Sequence, residues 1–151
     1  MRADSAAQAG LVAELVVQIY DIHQTIIAET GGTPGLLDGA MLHAAAARPF
    51  ATFAGAELYA DDFEKAAALF HSLIKSHPFL DATEATALVA ALYLLAQRGH
   101  SLPQPLPTEA VIRFCLELTE ESLRQAETPA LPLQTIPVLA AWFRRLCGEA
   151  G

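Results

Sequence analysis

Apolar residues recur at spacings of three and four along most of this chain, which is the period of one face of an α-helix. The first such run extends from Ala9 to Glu29, with its apolar positions at Leu11, Leu15, Ile19, Ile22 and Ile26. No stretch shows the period of two that marks a half-buried strand. The sequence therefore predicts an all-α fold, with at most one short β-hairpin flap between Phe50 and Tyr59, where no period is evident.

Glycine, proline and acidic residues divide this pattern into separate helices. The first helix ends at Gly31 and Gly32, and Asp38, Asp61 and Asp81 each precede a later helix. Aspartate is a favoured N-cap because its carboxylate accepts a hydrogen bond from an unpaired N–H of the first turn. An acidic residue stands three positions after Asp61 and again after Asp81, which is the pattern of a capping box.

The helix that follows Asp81 is apolar on every side from Ala85 to Ala96. A helix without a polar face is buried among other elements, so this one is predicted to be the central helix of a bundle. Two further helices are predicted at 109–123 and 138–147, between proline-rich segments. With 151 residues, 53% of them apolar, the chain suits a single domain, 1–151.

The charge of the chain excludes nucleic-acid binding. Its formal net charge is −8, with nine Lys and Arg residues, of which Arg144 and Arg145 form the one cluster. A nucleic-acid groove needs many clustered cations. The longest uncharged apolar run, Ala85 to Ala96, is far below the ~20 residues that cross a bilayer, and the N-terminus lacks a signal-peptide core. We therefore expect a cytoplasmic protein with no membrane partner.

One loop combines residue types suited to chemistry. The stretch HPFLDATEATA, from His77 to Ala87, joins two predicted inner helices. A loop that opens onto a helix N-terminus offers unpaired backbone N–H groups and a favourable dipole to an anion. A histidine and a carboxylate beside such a site are typical of phosphate chemistry.

The stretches IHQTIIAETGGTPGLLDGAML and ARPFATFAGAELYADDFEKAAALFHSLIKSHPFLDATEATALVAALYLLAQRGHSL resemble the Doc (death-on-curing) toxin branch of the Fic superfamily over about residues 11–102. The resemblance implies a helical bundle and transfer of phosphate or a nucleotide from ATP, with magnesium, to a hydroxyl of a target protein. The Doc branch is similar to a kinase that acts on elongation factor Tu. It also implies a Phd-like antitoxin that covers the groove.

The stretch from His77 to Ala87 keeps the family's residue at six positions, of which Thr86 and Ala87 are the last two. His77 matches the catalytic histidine, the general base toward a protein hydroxyl. Phe79 matches the residue that anchors the loop in the core. Asp81 matches the acidic residue that holds magnesium on the nucleotide phosphates, and Ala82 is allowed at its position.

The next three positions depart from the family. Thr83 stands at the position of Asn, Glu84 at that of Lys, and Ala85 at that of Arg. Lys to Glu changes the charge by −2 and Arg to Ala by −1, so the phosphate loop becomes more negative by three charges than in a Doc enzyme. A pair of unit charges at roughly 4 Å is worth about 4 kcal/mol at an effective dielectric of 20. Several kcal/mol of phosphate binding are therefore expected to be lost.

Three further expectations concern the same region. Glu84 is expected to fold back onto the Asp81 backbone N–H and place the protein's own carboxylate in the vacated anion site. Leu37 replaces an Arg that is common in the family's upstream PGLRD element. A metal site of His71, His77 and Asp81 is not predicted, because that spacing is no recognised ligand pattern.

Three functional hypotheses follow. The first is a degenerate Doc-like protein of a toxin–antitoxin lineage, without a bound cofactor, that retains binding to an antitoxin-like peptide, a family target or a second copy of itself. The second is a working transferase in which Arg48, Lys75 or Arg98 supplies the missing charge. The third is a non-catalytic binding or regulatory module that reuses the fold.

Overall fold

The computed structural model describes residues 2–102 and 135–148. The elements within these ranges are α1 (Arg2–Thr30), α2 (Gly39–Ala47), a 3₁₀ helix (Arg48–Phe50), β1 (Thr52–Phe53), β2 (Ala56–Glu57), α3 (Asp62–Ser76), α4 (Thr83–Gln97) and α5 (Thr135–Leu146). The predicted all-α fold with one short hairpin is confirmed. The helix predicted at 109–123 lies outside the described residues.

Helix α1 is longer than predicted, because it begins at Arg2 rather than Ala9. Its buried residues follow the helical period and face α2 and α4: they are Val12, Leu15, Ile19, His23 and Ile27. By length and composition alone, the segment Ala6–Thr30 is long and apolar enough to cross a membrane. This is weak evidence for a span, because the core helix of a soluble protein and a signal sequence pass the same test.

Helix α3 contacts more of the described elements than any other helix. It packs against α2, the 3₁₀ helix, α4 and α5, and it is buried continuously from Lys65 to His71. The predicted central helix, α4, packs between α1 and α3. One stripe of α4 nevertheless faces outward, with Ala85 exposed and Val89 40% exposed. The centre of the bundle is therefore shared by α3 and α4.

The hairpin is attached to the beginning of α3 through a buried lysine. Lys65 is 2% exposed; its ammonium donates to the Tyr59 carbonyl and lies 3.3 Å from a Glu57 carboxylate oxygen on β2. A buried ammonium must be paired, because burying an isolated charge is strongly unfavourable. Lys65 lies twelve residues before His77, so this point of attachment is about 18 Å from that histidine along α3, at 1.5 Å per residue.

Helix α5 starts at Thr135, three residues before the predicted start at Val138. Pro137 was expected to end the preceding segment, but it lies in the first turn of α5, where its missing N–H removes no intrahelical hydrogen bond. Phe143 is buried and meets Phe70 of α3 edge to face, with ring centroids 6.3 Å apart. This aromatic pair holds α5 on α3.

The predicted N-caps of α2 and α3 are both confirmed. Asp38 accepts a hydrogen bond from the Met41 N–H at 3.1 Å. Asp61 accepts one from the Glu64 N–H at 2.8 Å, and its second oxygen lies 2.9 Å from Arg144 Nη2. Asp61 thus joins the first turn of α3 to α5.

Replacing Asp61 with Ala is expected to lower the free energy of unfolding by about 1 kcal/mol, because the first turn of α3 loses its acceptor. Asp61→Asn is the matched control: it keeps an oxygen for the Glu64 N–H and loses only the exposed ion pair with Arg144, worth at most about 1 kcal/mol. Urea denaturation followed by circular dichroism measures both. A larger loss for Asn than for Ala would contradict the capping role.

Candidate active site

The loop between α3 and α4 is bracketed by two residues in the left-handed region. His77 has φ 49° and ψ 60°, and Ala82 has φ 62° and ψ 30°. This conformation costs a non-glycine residue roughly 1–2 kcal/mol, so it persists only where the surrounding structure enforces it. The third such residue among those described, Ala54, lies in the hairpin turn. The loop 77–82 is therefore a tightly wound segment held in place from outside.

The segment that follows α1 provides this support through backbone hydrogen bonds. Leu36 and Phe79 form an antiparallel bridge. The Leu80 N–H donates to the Gly35 carbonyl at 3.0 Å, and the Leu37 N–H donates to the Pro78 carbonyl at 2.7 Å. The Gly-Gly-Thr-Pro-Gly stretch that ends α1 thus also supplies a pairing partner for the site loop.

Phe79 fixes the middle of the loop in the core. Its ring is 1% exposed and stacks on the ring of His23, with centroids 3.8 Å apart and planes within 8°. His23 Nε2 lies 2.9 Å from the Asp81 carbonyl oxygen; because a carbonyl can only accept, Nε2 carries the proton and donates. The sequence analysis did not identify His23 as a residue of this site. The signal was present, since His23 continues the buried stripe of α1 at four residues from Ile19 and from Ile27.

His77 is held with one ring nitrogen turned toward the protein. Its Nδ1 lies 2.8 Å from the Phe79 carbonyl oxygen and 3.0 Å from Thr83 Oγ1. The carbonyl only accepts, so Nδ1 carries the proton, and Nε2 of the neutral ring keeps its lone pair. A histidine with a free Nε2 and an oriented ring is suited to act as a general base.

The carboxylate of Asp81 does not cap α4, so the predicted capping box is wrong. Ala82 occupies the N-cap position, without a side-chain hydrogen bond, and α4 begins at Thr83. Asp81 Oδ2 instead accepts from the Thr33 N–H at 3.0 Å, and Oδ1 accepts from the Ala82 N–H at 2.8 Å. A Cβ at Gly32 would lie 2.9 Å from Asp81 Oδ2, so glycine at position 32 makes this approach feasible.

Glu84 does not fill the anion site with its own carboxylate, so the expectation that it folds back onto the Asp81 N–H is wrong. It is the second residue of α4 rather than the third, so its side chain is not placed to reach back to the N-cap. Its side chain is exposed and makes no hydrogen bond or ion pair within the described ranges. The N–H groups of the first turn of α4 therefore remain without a side-chain cap, in a turn that carries a negative charge.

The hydroxyls of two buried threonines in α4, Thr83 and Thr86, differ in their hydrogen-bond partners. Thr83, 2% exposed, holds its Oγ1 against His77, as described above. Thr86 is 1% exposed, and its Oγ1 has no hydrogen-bond partner. Both residues lie in the first turn of α4, and Thr83 stands where the family motif has Asn.

None of the three candidate cations is hydrogen-bonded or ion-paired to the loop 77–85 within the described part of the chain. Arg98 follows the C-terminus of the 15-residue α4 and is bonded to Asp62, about 20 Å from the first turn at 1.5 Å per residue. Arg48 Nε donates to the Tyr59 hydroxyl at 3.0 Å. Lys75 is exposed on the last turn of α3.

Few of the described residues at the loop could hold a magnesium–nucleotide complex. Asp81 supplies the one carboxylate at the loop that the family motif would assign to the metal, and both of its oxygens already accept backbone hydrogen bonds. No group of three His, Cys, Asp or Glu residues suited to a metal occurs within residues 2–102 and 135–148. Glu84 adds negative charge where the phosphates of a nucleotide would lie.

Comparison with known proteins agrees with this geometry. The model of the Fic/DOC family matches residues 15–95, which include α4 up to Leu95 and the whole loop. The chain therefore belongs to the Fic/DOC family. It is 32% identical over 113 residues to Toxin Doc of Mycolicibacterium smegmatis, covering 75% of this chain and 81% of that protein, which places it in the Doc branch. No solved structure matches significantly.

The Asp81 carboxylate provides a pH-dependent test of the loop. The Thr33 N–H, and next the Ala82 N–H, hold the pKa of Asp81 below its ordinary value of 3.8. A group whose pKa is lowered by folding stabilises the fold above its unfolded pKa, and this contribution is lost as the pH falls through the folded pKa. The NMR shift of the Thr33 N–H is therefore expected to titrate with a midpoint below 3.8.

The control for this titration is Asp81→Asn, which keeps an oxygen acceptor and removes the proton equilibrium. In that variant the Thr33 N–H should show no acid titration of this kind. A local probe is needed because the pKa of Asp62 is also lowered, through its hydrogen bonds to Arg98 and His100, which outweigh the opposing effect of burial. A wild-type midpoint at or above the ordinary aspartate value would contradict the geometry.

Ala82→Gly is expected to stabilise the protein by up to about 1 kcal/mol. Glycine avoids the cost of the left-handed conformation, and its larger entropy in the unfolded chain offsets part of that gain. Ala85→Gly is the matched control, because Ala85 is exposed and helical in α4, where glycine costs roughly 0.5–1 kcal/mol. Thermal or urea unfolding of both variants decides, and a loss of stability at position 82 would count against the assigned loop conformation.

Proposed function

We propose that this chain is a Doc-type protein of a toxin–antitoxin lineage whose transfer of phosphate or nucleotide to protein hydroxyls is lost or strongly weakened. The single observation that carries the proposal is the charge of the first turn of α4. Glu84 and Ala85 stand where Doc enzymes carry Lys and Arg. Among the described residues, none of Arg48, Lys75 and Arg98 is hydrogen-bonded or ion-paired to that turn.

The energetic reason is that phosphoryl transfer depends on positioning and on electrostatic stabilisation of phosphate oxygens. The uncapped N–H groups of α4 still favour an anion, but a helix N-terminus contributes typically about 0.3–1 kcal/mol for an exposed charge. The change from Lys to Glu at position 84 reverses a charge close to that N-terminus, and its free-energy cost to phosphate binding is larger than this gain, even after screening. The balance therefore disfavours a bound triphosphate.

Binding functions can survive this loss. The shape of the loop is maintained by backbone pairing and by Phe79, neither of which depends on the missing cations. We propose that the chain is cytoplasmic and binds a Phd-like antitoxin, a translation-factor target, or a second copy of itself. A relative that carries the name Toxin Doc supports an antitoxin partner.

A working transferase that uses ATP and magnesium is the alternative, and one observation favours it. His77 presents Nε2 as a free base, with Nδ1 held at 2.8 Å from the Phe79 carbonyl oxygen. A protein hydroxyl brought to Nε2 could lose its proton there, provided that a phosphate donor is held nearby.

Titration with ATP and magnesium, followed by the melting temperature, separates the two proposals. A bound ligand raises the melting temperature by mass action. If transfer is lost or strongly weakened, millimolar nucleotide should therefore cause no saturable rise in the melting temperature. Expression in a bacterium adds a second readout. Toxicity that His77→Ala abolishes would refute the loss of activity, whereas a chain without toxicity agrees with it.

Restoring the family residues is expected to restore nucleotide binding. The triple variant Thr83→Asn, Glu84→Lys and Ala85→Arg should bind ATP at least about tenfold more tightly than the wild type, which corresponds to only about 1.4 kcal/mol. Isothermal titration calorimetry in the presence of magnesium measures this change.

The control for the triple variant carries the same added charge elsewhere. Glu14→Lys with Ala6→Arg adds +2 and +1 on the exposed side of α1, the same +3 that the triple variant gains. If this control binds ATP as well as the triple variant does, general charge attraction explains the effect. If neither binds, the pocket lacks more than its cations and the electrostatic explanation fails.

A further inference from the structure

We propose that a cleft between α2 and α3, separate from the loop 77–82, binds a small phosphate monoester. The cleft has a volume of about 410 Å³. Its α2 wall includes Met41 and Ala45, its α3 wall includes His71 and Lys75, and Arg48 stands at one end. No residue of the Fic/DOC motif loop lines it, and nothing in this proposal depends on whether the chain transfers phosphate.

The charge of this cleft is opposite to that of the chain. The chain carries a formal net charge of −8, yet the described residues that line the cleft include two permanent cations, Arg48 and Lys75, and no carboxylate among them. His71 and Lys75 are four residues apart on α3, so they lie on the same face of that helix. A concave surface of one sign concentrates ions of the opposite sign.

Arg48 is held in a defined position before any ligand arrives. Its Nε donates to the Tyr59 hydroxyl at 3.0 Å, and its guanidinium carbon lies 5.5 Å from the centre of that ring. Tyr59 is itself 7% exposed. The two terminal nitrogens of Arg48 make no hydrogen bond to any described residue, so they remain as donors. Such a pair of donors fits a phosphate in bidentate geometry.

The remaining wall indicates that the ligand has an apolar body. Met41 is 46% exposed, and Ala44 and Ala45 continue the same side of α2. Sites for small molecules usually enclose about 300–1,000 Å³ and combine apolar walls with a few fixed polar groups. The cleft meets both criteria, which favours a small phosphate ester over a free phosphate ion or a peptide.

Phenyl phosphate is the probe that tests this proposal, because it combines a phosphate with a small apolar body. We expect saturable NMR shifts at the backbone N–H groups of 72–76 in the full-length protein. Lys75→Gln and Arg48→Gln should each weaken binding about tenfold, which corresponds to losing one charge-assisted hydrogen bond. Arg145→Gln removes the same charge from an exposed position on α5 and should change the affinity less than about twofold.

Other probes separate the rival explanations. Inorganic phosphate lacks the apolar body and benzoate lacks the phosphate, so both should bind more weakly than phenyl phosphate. The proposal is overturned by an absence of saturable shifts, by equal effects of all three variants, or by shifts confined to Thr83, Glu84 and Ala85. Tighter binding of a pentaglutamate peptide would overturn it in favour of an acidic protein partner. If Arg48→Gln fails to fold, Lys75→Gln alone decides.

Discussion

The backbone pairing between the segment after α1 and the loop after α3 is the constraint on which the candidate site depends. Hydrogen bonds from Leu37 to Pro78 and from Leu80 to Gly35 join two parts of the chain that lie more than forty residues apart. They place the loop against the end of α1, where the Thr33 N–H reaches Asp81. Without this pairing, nothing in the local sequence would keep His77 and Ala82 in the left-handed region.

The interactions that shape this loop do not depend on its charge. The ring of Phe79, its stack on His23 and the hydrogen bond from His77 to the Phe79 carbonyl are all neutral interactions. They survive exchange of the neighbouring cations, because none of them uses a cation as partner. The proposed loss of activity rests on the same exchange, since the attraction for phosphate is electrostatic. A family fold with intact geometry is therefore compatible with strongly reduced chemistry.

Sequence reasoning succeeded where the controlling interaction is local. The caps Asp38 and Asp61 bind N–H groups three residues away, so the residue pattern predicts them correctly. The same pattern failed at Asp81, because the Thr33 N–H, 48 residues away in sequence, competes for its carboxylate. His23 was missed for a similar reason, since its hydrogen-bond acceptor is 58 residues distant. The fold class depended on periodicity and was predictable, whereas the orientation of these two side chains depended on contacts that no local pattern contains.

The arrangement of cations explains why the charge at α4 is not supplied from elsewhere in the described structure. Lys65 is paired with Glu57, Arg98 with Asp62, and Arg144 with Asp61. All three pairs join elements around the beginning of α3, at the end opposite to His77. Moving any of these cations to the first turn of α4 would remove an ion pair and would break a contact between elements.

Arg48 is likewise committed, because its Nε is bound to Tyr59. Lys75 is exposed on α3 and lines the cleft toward α2 rather than the loop. Lys65, Arg98 and Arg144 thus serve ion pairs between elements, and Arg48 and Lys75 line that cleft. Among the described residues, positions 83–85 adjoin the place of a phosphate at the N-terminus of α4, and there the sequence has a threonine, a glutamate and an alanine.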